Sequence, residues 1–438
     1  MKKIYILFTL IIIVFTACEP KIDDFTASNG DADFSRFVAI GNSLTSGYAD
    51  GDLYKTAQLN SYPAIMAEMF EAVNGGEFKQ PMMKDDIGFG KRLVLGLSVS
   101  CNGDASLGPI PFNTTPSPEN FASIAADGPY NNMGVPGAKT FHLLAPGYGV
   151  LNPYFGRFAS SSTTTVMNDA MQIDPTFFSC WIGNNDLLTY AIAGGEADSI
   201  TPQIVFEQAY GAILQTLTSN DAKGVIANLP DITAIPFFVT VPYNAVPLEQ
   251  EQADQLNAAY AAYNAGATAY GLDQINFAEG QNAMVIEDEA YAALGGIRQI
   301  KENELVLLSI PQDSIKCAGW GTIKPVPDEY VLDTDEILEI QNATTAFNQI
   351  IASYAEQFNL AYVDMNSVLE DVKTGVKYDG IEFTATFVTG GVFSLDGVHL
   401  TPQGYAFTAQ KFIEAINDKY NATIPYPSIS EYPGVLFP

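Results

Sequence analysis

The stretch RFVAIGNSL, residues 36–44, joins a short apolar run to a Gly-Asn-Ser-Leu turn. The apolar run is typical of a buried β-strand, and the glycine and asparagine after it are typical of a turn. Ligands of open α/β sheets bind outside the carboxyl ends of the strands, where this turn places Ser43. A serine hydroxyl needs a neighbouring base to act as a nucleophile, and without one the stretch is simply a turn.

Segments of the same kind recur along the chain and alternate with helical patterns. Further strands are predicted at Tyr130–Gly134, Thr176–Ile182, Gly224–Leu229 and Leu360–Val363. Helices are predicted at Tyr62–Ala72, from Thr201-Pro202 onward, at Leu248–Tyr270, after the capping box of Asp333 and Glu336, and at Gln403–Ile416. Strands that alternate with helices predict a parallel sheet with helices on both faces.

Three other short blocks carry residues suited to chemistry. Residues 132–137, NMGVPG, offer glycines whose backbone amides can approach a substrate closely. Residues 183–186, GNND, place an asparagine after the strongest strand, and residues 396–399, DGVH, place a carboxylate three residues before a histidine. The chain has two histidines, and only His399 has an acid at that spacing. Each block alone is compatible with an ordinary turn.

Together, and in this chain order, the four blocks resemble the SGNH (GDSL-like) hydrolase family. The matching residues are Ser43, Gly134, Asn185 and His399, with Asp396 as the family's acid. The resemblance implies a three-layer α/β/α (flavodoxin-like) fold around a five-stranded parallel sheet. Asn42 departs from it, because the family usually has aspartate before the serine.

The resemblance also implies roles for the matched residues. Ser43 is the expected nucleophile, His399 its base, and Asp396 the group that orients the imidazole. The expected oxyanion hole consists of the backbone amides of Ser43 and Gly134 and the side chain of Asn185. No metal or organic cofactor is implied.

Length alone suggests more than one domain, but Ser43 and His399 lie at opposite ends of the sequence. If they share a site, the chain cannot be divided between them. We therefore predict one domain over residues 35–438, with large insertions at about 75–128 and 271–330.

The amino terminus resembles a bacterial lipoprotein signal. Lys2 and Lys3 precede the apolar residues 4–15, and Thr16-Ala17 precedes Cys18, the predicted site of lipidation. Residues 19–34 are expected to form a tether, which places the protein in the cell envelope with a lipid anchor as its only membrane contact. An ordinary signal peptide is the alternative.

Charge narrows the range of partners. The chain has 20 basic and 50 acidic residues, a formal net charge of −30. Such a surface disfavours nucleic acid, which binds to clusters of lysine and arginine.

Beyond Cys18, three cysteines remain, so one internal disulfide at most is expected, and Cys180 is expected in the core.

The predicted function is hydrolysis of a carboxylic ester through an acyl-enzyme. Short acyl or acetyl esters, including an acylated glycan, are the favoured substrates, because no long apolar segment suggests a lid over an acyl chain. Two alternatives remain: a lipase for long-chain esters, and a surface lipoprotein that binds glycans without catalysis.

Overall fold

The computed structural model describes residues 26–438. Its strands are β1 Phe37–Gly41, β2 Leu93–Val99, β3 Ala105–Pro111, β4 Asn132–Gly134, β5 Phe177–Trp181, β6 Lys223–Ala227, β7 Val246–Leu248, β8 Gly280–Asn282, β9 Val285–Glu287, β10 Ile297–Gln299, β11 Leu305–Val306, β12 Val331–Leu332, β13 Ala361–Val363, β14 Val376–Tyr378 and β15 Ile381–Phe383.

The α-helices are α1 Ser43–Ser46, α2 Lys55–Leu59, α3 Tyr62–Glu71, α4 Tyr148–Leu151, α5 Pro153–Phe158, α6 Val166–Ala170, α7 Asn185–Ala191, α8 Gln203–Leu217, α9 Pro236–Val239, α10 Gln250–Ala259, α11 Ala261–Tyr270, α12 Gln312–Cys317, α13 Thr334–Gln357, α14 Met365–Thr374 and α15 Pro402–Tyr420. The predicted capping box of Asp333 and Glu336 is present at the start of α13, so that prediction is confirmed.

The central sheet has the strand order β13-β6-β5-β1-β4, and every neighbouring pair in it is parallel. The predicted α/β fold with a five-stranded parallel sheet is therefore confirmed. After β4 the chain crosses back over β1 to form β5, so the strand order reverses between β1 and β5. In folds of this order, the crevice outside the carboxyl ends at that reversal is the usual ligand site.

Helices cover both faces of the sheet. Successive side chains of a strand point to opposite faces. Trp181 of β5 packs against Tyr62 of α3, whereas the preceding Cys180 lies beside Tyr210 of α8. Helix α15 packs beside α3, and α13 packs beside α8. Cys180 is a buried free thiol, as predicted.

The second insertion is larger than the sequence indicated. The alanine-rich segment forms two helices, α10 and α11, which bury little besides Ala253 and Ala267. Ala253 packs with Ile275, Phe277 and Val285 in a small cluster that is separate from the main core. This segment therefore belongs with the insertion, which begins before residue 271.

The two inserted regions are joined covalently. Residues 75–128 contain the hairpin of β2 and β3, and Cys101 lies at its tip. Cys101 forms a disulfide with Cys317 at the end of α12, with an S–S distance of 1.95 Å. One bridge thus connects segments 216 residues apart in the sequence.

The expected tether is shorter than predicted. Ser28 pairs with Thr423, and Asp31 N–H donates to Tyr420 O at 2.8 Å. The Phe34 ring is buried and stacks on Phe70 at 4.3 Å. Residues from Ser28 onward therefore belong to the packed domain, because their apolar side chains complete its core.

The signal segment, Cys18 and residues 19–25 lie outside the described residues. From residue 26 onward, we find no helix with the length and apolarity needed to cross a bilayer.

Candidate active site

Ser43 is the first residue of α1, immediately beyond the carboxyl end of β1. The turn before it requires glycine, because a Cβ at Gly41 would lie 2.0 Å from Thr45 Oγ1. Ser46 Oγ donates to Ser43 O at 2.8 Å, which closes the short helix. Ser43 is only 7% exposed, and its hydroxyl makes no hydrogen bond within the described part of the chain. The turn thus holds a free hydroxyl in a protected position.

Asn42 caps this helix and connects it to the neighbouring strand. Its Oδ1 accepts from Leu44 N–H at 3.0 Å, and its Nδ2 donates to Asn184 Oδ1 at 3.2 Å. The first contact is one that an aspartate could also make. The second needs the amide, so Asn42 and Asn184 form a matched pair across the β1–β5 crevice.

Asp396 and His399 form the predicted pair. His399 Nδ1 lies 2.8 Å from Asp396 Oδ2, and the backbone N–H groups of Val398 and His399 donate to Asp396 Oδ1 at 2.9 and 2.8 Å. Burial by itself would raise the pKa of Asp396. The adjacent imidazole and these hydrogen bonds outweigh burial and hold that pKa well below its ordinary value. Asp396 therefore stays ionised and can orient the imidazole.

The loop that carries this pair is held by residues that the sequence analysis did not identify. Gly51 N–H donates to Asp396 Oδ2 at 2.8 Å, and Asp50 Oδ1 accepts from Leu395 N–H at 3.0 Å. The Tyr48 ring lies 4.5 Å from the His399 ring, centroid to centroid. These contacts join residues more than 300 positions apart, so no local sequence signal could have revealed them.

Ser43, Asn185 and His399 line one cavity at the carboxyl ends of the strands. The site lies at the reversal of strand order between β1 and β5. Ser43 Oγ and His399 are not hydrogen-bonded to each other in the described residues. Such contacts often tighten only when substrate binds. The arrangement brings together a hydroxyl, an oriented imidazole and an amide.

Gly134 does not fit its predicted role. Its N–H donates to Asn132 Oδ1 at 3.0 Å, so the amide is already satisfied. A Cβ there would lie 2.3 Å from Ser46 N, which shows that the glycine serves close packing. Gly137, three residues later, is exposed, has a φ of +79°, and its N–H has no partner in residues 26–438. If this loop supplies an oxyanion donor, Gly137 is the better candidate.

Asn185 and the following residue tie this loop to α7. Asn185 Nδ2 donates to Ala138 O at 3.0 Å, which uses one of the two hydrogens of its amide. Asp186 Oδ2 accepts from the N–H and the hydroxyl of Thr140 at 2.8 and 2.9 Å. Asp186 is fully buried, and burial raises its pKa from 3.8 to about 6. These contacts hold the segment of residues 183–186 against the loop that follows β4.

His142 lies outside the cavity lining. Its ring stacks on Tyr148 at 4.5 Å, and its Nδ1 accepts from Lys139 N–H at 3.0 Å. Burial and the neighbouring Lys139 lower the pKa of His142. These features indicate a packing role, so His399 remains the candidate base.

Comparisons with known proteins found distant similarity to two solved structures. No protein-family model and no curated protein matches the sequence. The chain is similar to a mutant of an acetyl-xylooligosaccharide esterase from Geobacillus Stearmophilus, with 10% identity, a TM-score of 0.37, and coverage of 88% of this chain and 96% of that one. It is also similar to an extracellular lipase from Streptomyces rimosus, with 11% identity, a TM-score of 0.32, and coverage of 88% and 98%.

Proposed function

We propose that this chain is a carboxylic ester hydrolase of the SGNH type that works through an acyl-enzyme on Ser43. One observation carries the proposal: Ser43 and His399, whose imidazole is bonded to Asp396, line the same cavity at the reversal of strand order. A binding protein would have no need of an imidazole oriented by a buried carboxylate beside a protected serine.

The chemistry follows from the positions of these groups. The imidazole of His399 accepts the Ser43 proton as Oγ attacks the ester carbonyl carbon, and Asp396 stabilises the imidazolium that results. When the tetrahedral intermediate collapses, the C–O bond to the alcohol breaks and the imidazolium protonates the leaving alcohol. Water then attacks the acyl-enzyme with the same base, which releases a carboxylic acid and restores Ser43.

The developing oxyanion needs donors on the other side of the carbonyl. We assign this role to Ser43 N–H, to the second amide hydrogen of Asn185, and to Gly137 N–H in place of Gly134 N–H. Two facts support the last assignment: Gly137 N–H is unpaired in the described chain, and Ala138 beside it is bonded to Asn185.

The test is turnover of p-nitrophenyl butyrate. Ser43→Ala should lower kcat by at least about three orders of magnitude, as loss of a serine nucleophile does elsewhere. Ser98→Ala, at an exposed serine of the β2–β3 hairpin, is the matched control and should keep wild-type turnover. Full activity in Ser43→Ala would contradict the proposal. A folded wild type without turnover would favour the glycan-binding alternative.

We also propose that the mature protein is lipid-anchored through Cys18 in the bacterial cell envelope. The lipoprotein-like signal supports this placement, and the anionic surface suits a protein that stays soluble beside a membrane.

A further inference from the structure

The active-site cavity extends well beyond the reacting groups. It begins at Ser43, beyond β1, and continues past the carboxyl ends of β5, β6 and β13 as far as Val372 on α14. Neighbouring strands lie about 4.8 Å apart, so β1 and β13, three spacings apart in the sheet, are separated by about 14 Å, and lining residues follow both strands. An acetyl group on Ser43 would occupy only the first part of the cavity.

The walls of the distal part are apolar. Helix α14 contributes Met365, Leu369 and Val372, and Ile232 and Ile235 come from the segment after β6. All five side chains are less than 10% exposed. Apart from Thr408 and Trp181, the side chains in the lining that can form hydrogen bonds belong to the catalytic blocks, and Trp181 Nε1 already donates to Asn228 O at 3.1 Å. The distal part therefore offers no hydrogen bonds to a sugar, but it can bury an alkyl chain.

The other side of the catalytic pair is different in character. Tyr48 packs on His399, and Tyr154 follows Tyr48 at 6.1 Å between ring centroids. This half-buried aromatic side keeps polar hydroxyls close to the catalytic pair. Tyr148 and Phe155, which flank Tyr154 in the sequence, are buried, so they cannot stack on a sugar ring.

We propose that the substrate is an ester of an unbranched, medium-chain acyl group, from octanoyl to lauroyl. The chain lies in the apolar cavity, and the alcohol leaves on the side of Tyr48. This inference rests on the proposed ester hydrolysis and specifies its acyl side. It departs from the short acyl group favoured by the sequence, because the sequence could not place α14 beside Ser43.

The direct test is kcat/KM for p-nitrophenyl esters from acetyl to palmitoyl, measured on the whole mature protein. Each buried methylene should raise kcat/KM about fourfold, which corresponds to about 0.8 kcal/mol, until the cavity is filled. The expected maximum lies between octanoyl and lauroyl. A maximum at acetyl or butyryl, or a continued rise to palmitoyl, would overturn the inference while leaving ester hydrolysis intact. Hydrolysis of none of the esters would overturn both proposals.

A variant that narrows the cavity gives a second, independent test. Val368 lines the cavity from α14, so Val368→Trp should lower the ratio of kcat/KM for lauroyl to that for acetyl esters at least tenfold. Asp371→Trp, on the exposed face of the same helix, is the matched control and should keep the wild-type ratio. An unchanged ratio in folded Val368→Trp would overturn the inference. If that variant does not fold, the wild-type ester series decides.

Discussion

At the scale of single residues, the site depends on groups that are held in place by buried neighbours. The two carboxylate oxygens of Asp396 take part in at least four hydrogen bonds, one of them with Gly51 N–H from the other end of the chain. Asn42 fits the site as an amide, because it donates to Asn184. Asn42, which stands where the family it resembles usually has aspartate, therefore has a hydrogen-bond partner that requires an amide, Asn184.

Asn185→Ala tests the oxyanion assignment. Loss of the Asn185 side-chain amide should lower kcat by about two to three orders of magnitude, as removal of a single oxyanion donor does elsewhere. His142→Ala, at a histidine outside the cavity, should keep kcat near that of the wild type and serves as the control. Turnover of p-nitrophenyl butyrate measures both. A fully active Asn185→Ala would remove this residue from the oxyanion hole.

Asp186 should make stability depend on pH. Its folded-state pKa is raised to about 6, so the folded protein binds more protons than the unfolded chain between about pH 4 and pH 6. The contribution of Asp186 to stability is therefore greatest below pH 4 and is lost as pH rises through 6.

Asp186→Asn isolates this effect, because the amide is isosteric and its oxygen can still accept from Thr140. Between pH 4 and pH 7, the unfolding free energy of the wild type should fall relative to that of Asp186→Asn by on the order of 2–3 kcal/mol. Urea unfolding at both pH values measures the difference. If the unfolding free energies of the wild type and Asp186→Asn changed by the same amount between pH 4 and pH 7, the predicted effect of Asp186 would be contradicted.

At the scale of elements, the sheet was predictable, but the full extent of the second insertion was not. Apart from β4, the strands of the central sheet are short, mainly apolar runs followed by turn residues, and that pattern depends only on local sequence. The alanine-rich helices α10 and α11 have the composition of a scaffold helix, but they pack against Ile275 and Phe277 of the insertion. Which surface a helix covers depends on distant residues, so its place could not be inferred from its own sequence.

The cavity was missed for the same reason. Its lining comes from separate segments between Asn42 and Thr408, none of which is a long apolar stretch. The resemblance to the family points to Gly134, and nothing in the sequence separates it from Gly137, because both lie in one glycine-rich loop. Only the hydrogen bond from Gly134 N–H to Asn132 distinguishes a packing glycine from one with a free amide.

The disulfide between the insertions should contribute measurable stability. Cys101→Ser/Cys317→Ser should lower the unfolding free energy by about 2–4 kcal/mol, because the bridge restricts the unfolded chain. Ser98→Ala, on the same hairpin, is the control and should leave the unfolding midpoint unchanged. Equal midpoints for the double variant and the wild type would show that the bridge does not stabilise the fold.

At the scale of the whole molecule, the first described residues and the active site lie at opposite ends of the strands of the sheet. Asp31 and Thr423 lie near the start of β6, where Tyr420 hydroxyl contacts Gly224. Ser43 follows the carboxyl end of β1. The described part of the chain therefore begins at the amino ends of the strands, remote from the cavity at their carboxyl ends.

The anchor itself is tested by metabolic labelling. The wild type, expressed in a bacterial host with its signal, should incorporate labelled palmitate and partition into detergent. Cys18→Ala should do neither, because the acylated thiol is missing. Incorporation of label by Cys18→Ala would contradict the proposed anchor and favour an ordinary signal peptide.

Every step of the proposed reaction depends on Ser43 being an activated nucleophile. The most direct measurement is mass spectrometry of the native protein after treatment with a fluorophosphonate. We predict one adduct, on the peptide that contains Ser43, and its loss in His399→Ala, because the hydroxyl would then lack its base. An adduct on another residue such as Ser46, or an unmodified Ser43 in a protein that hydrolyses esters, would contradict it.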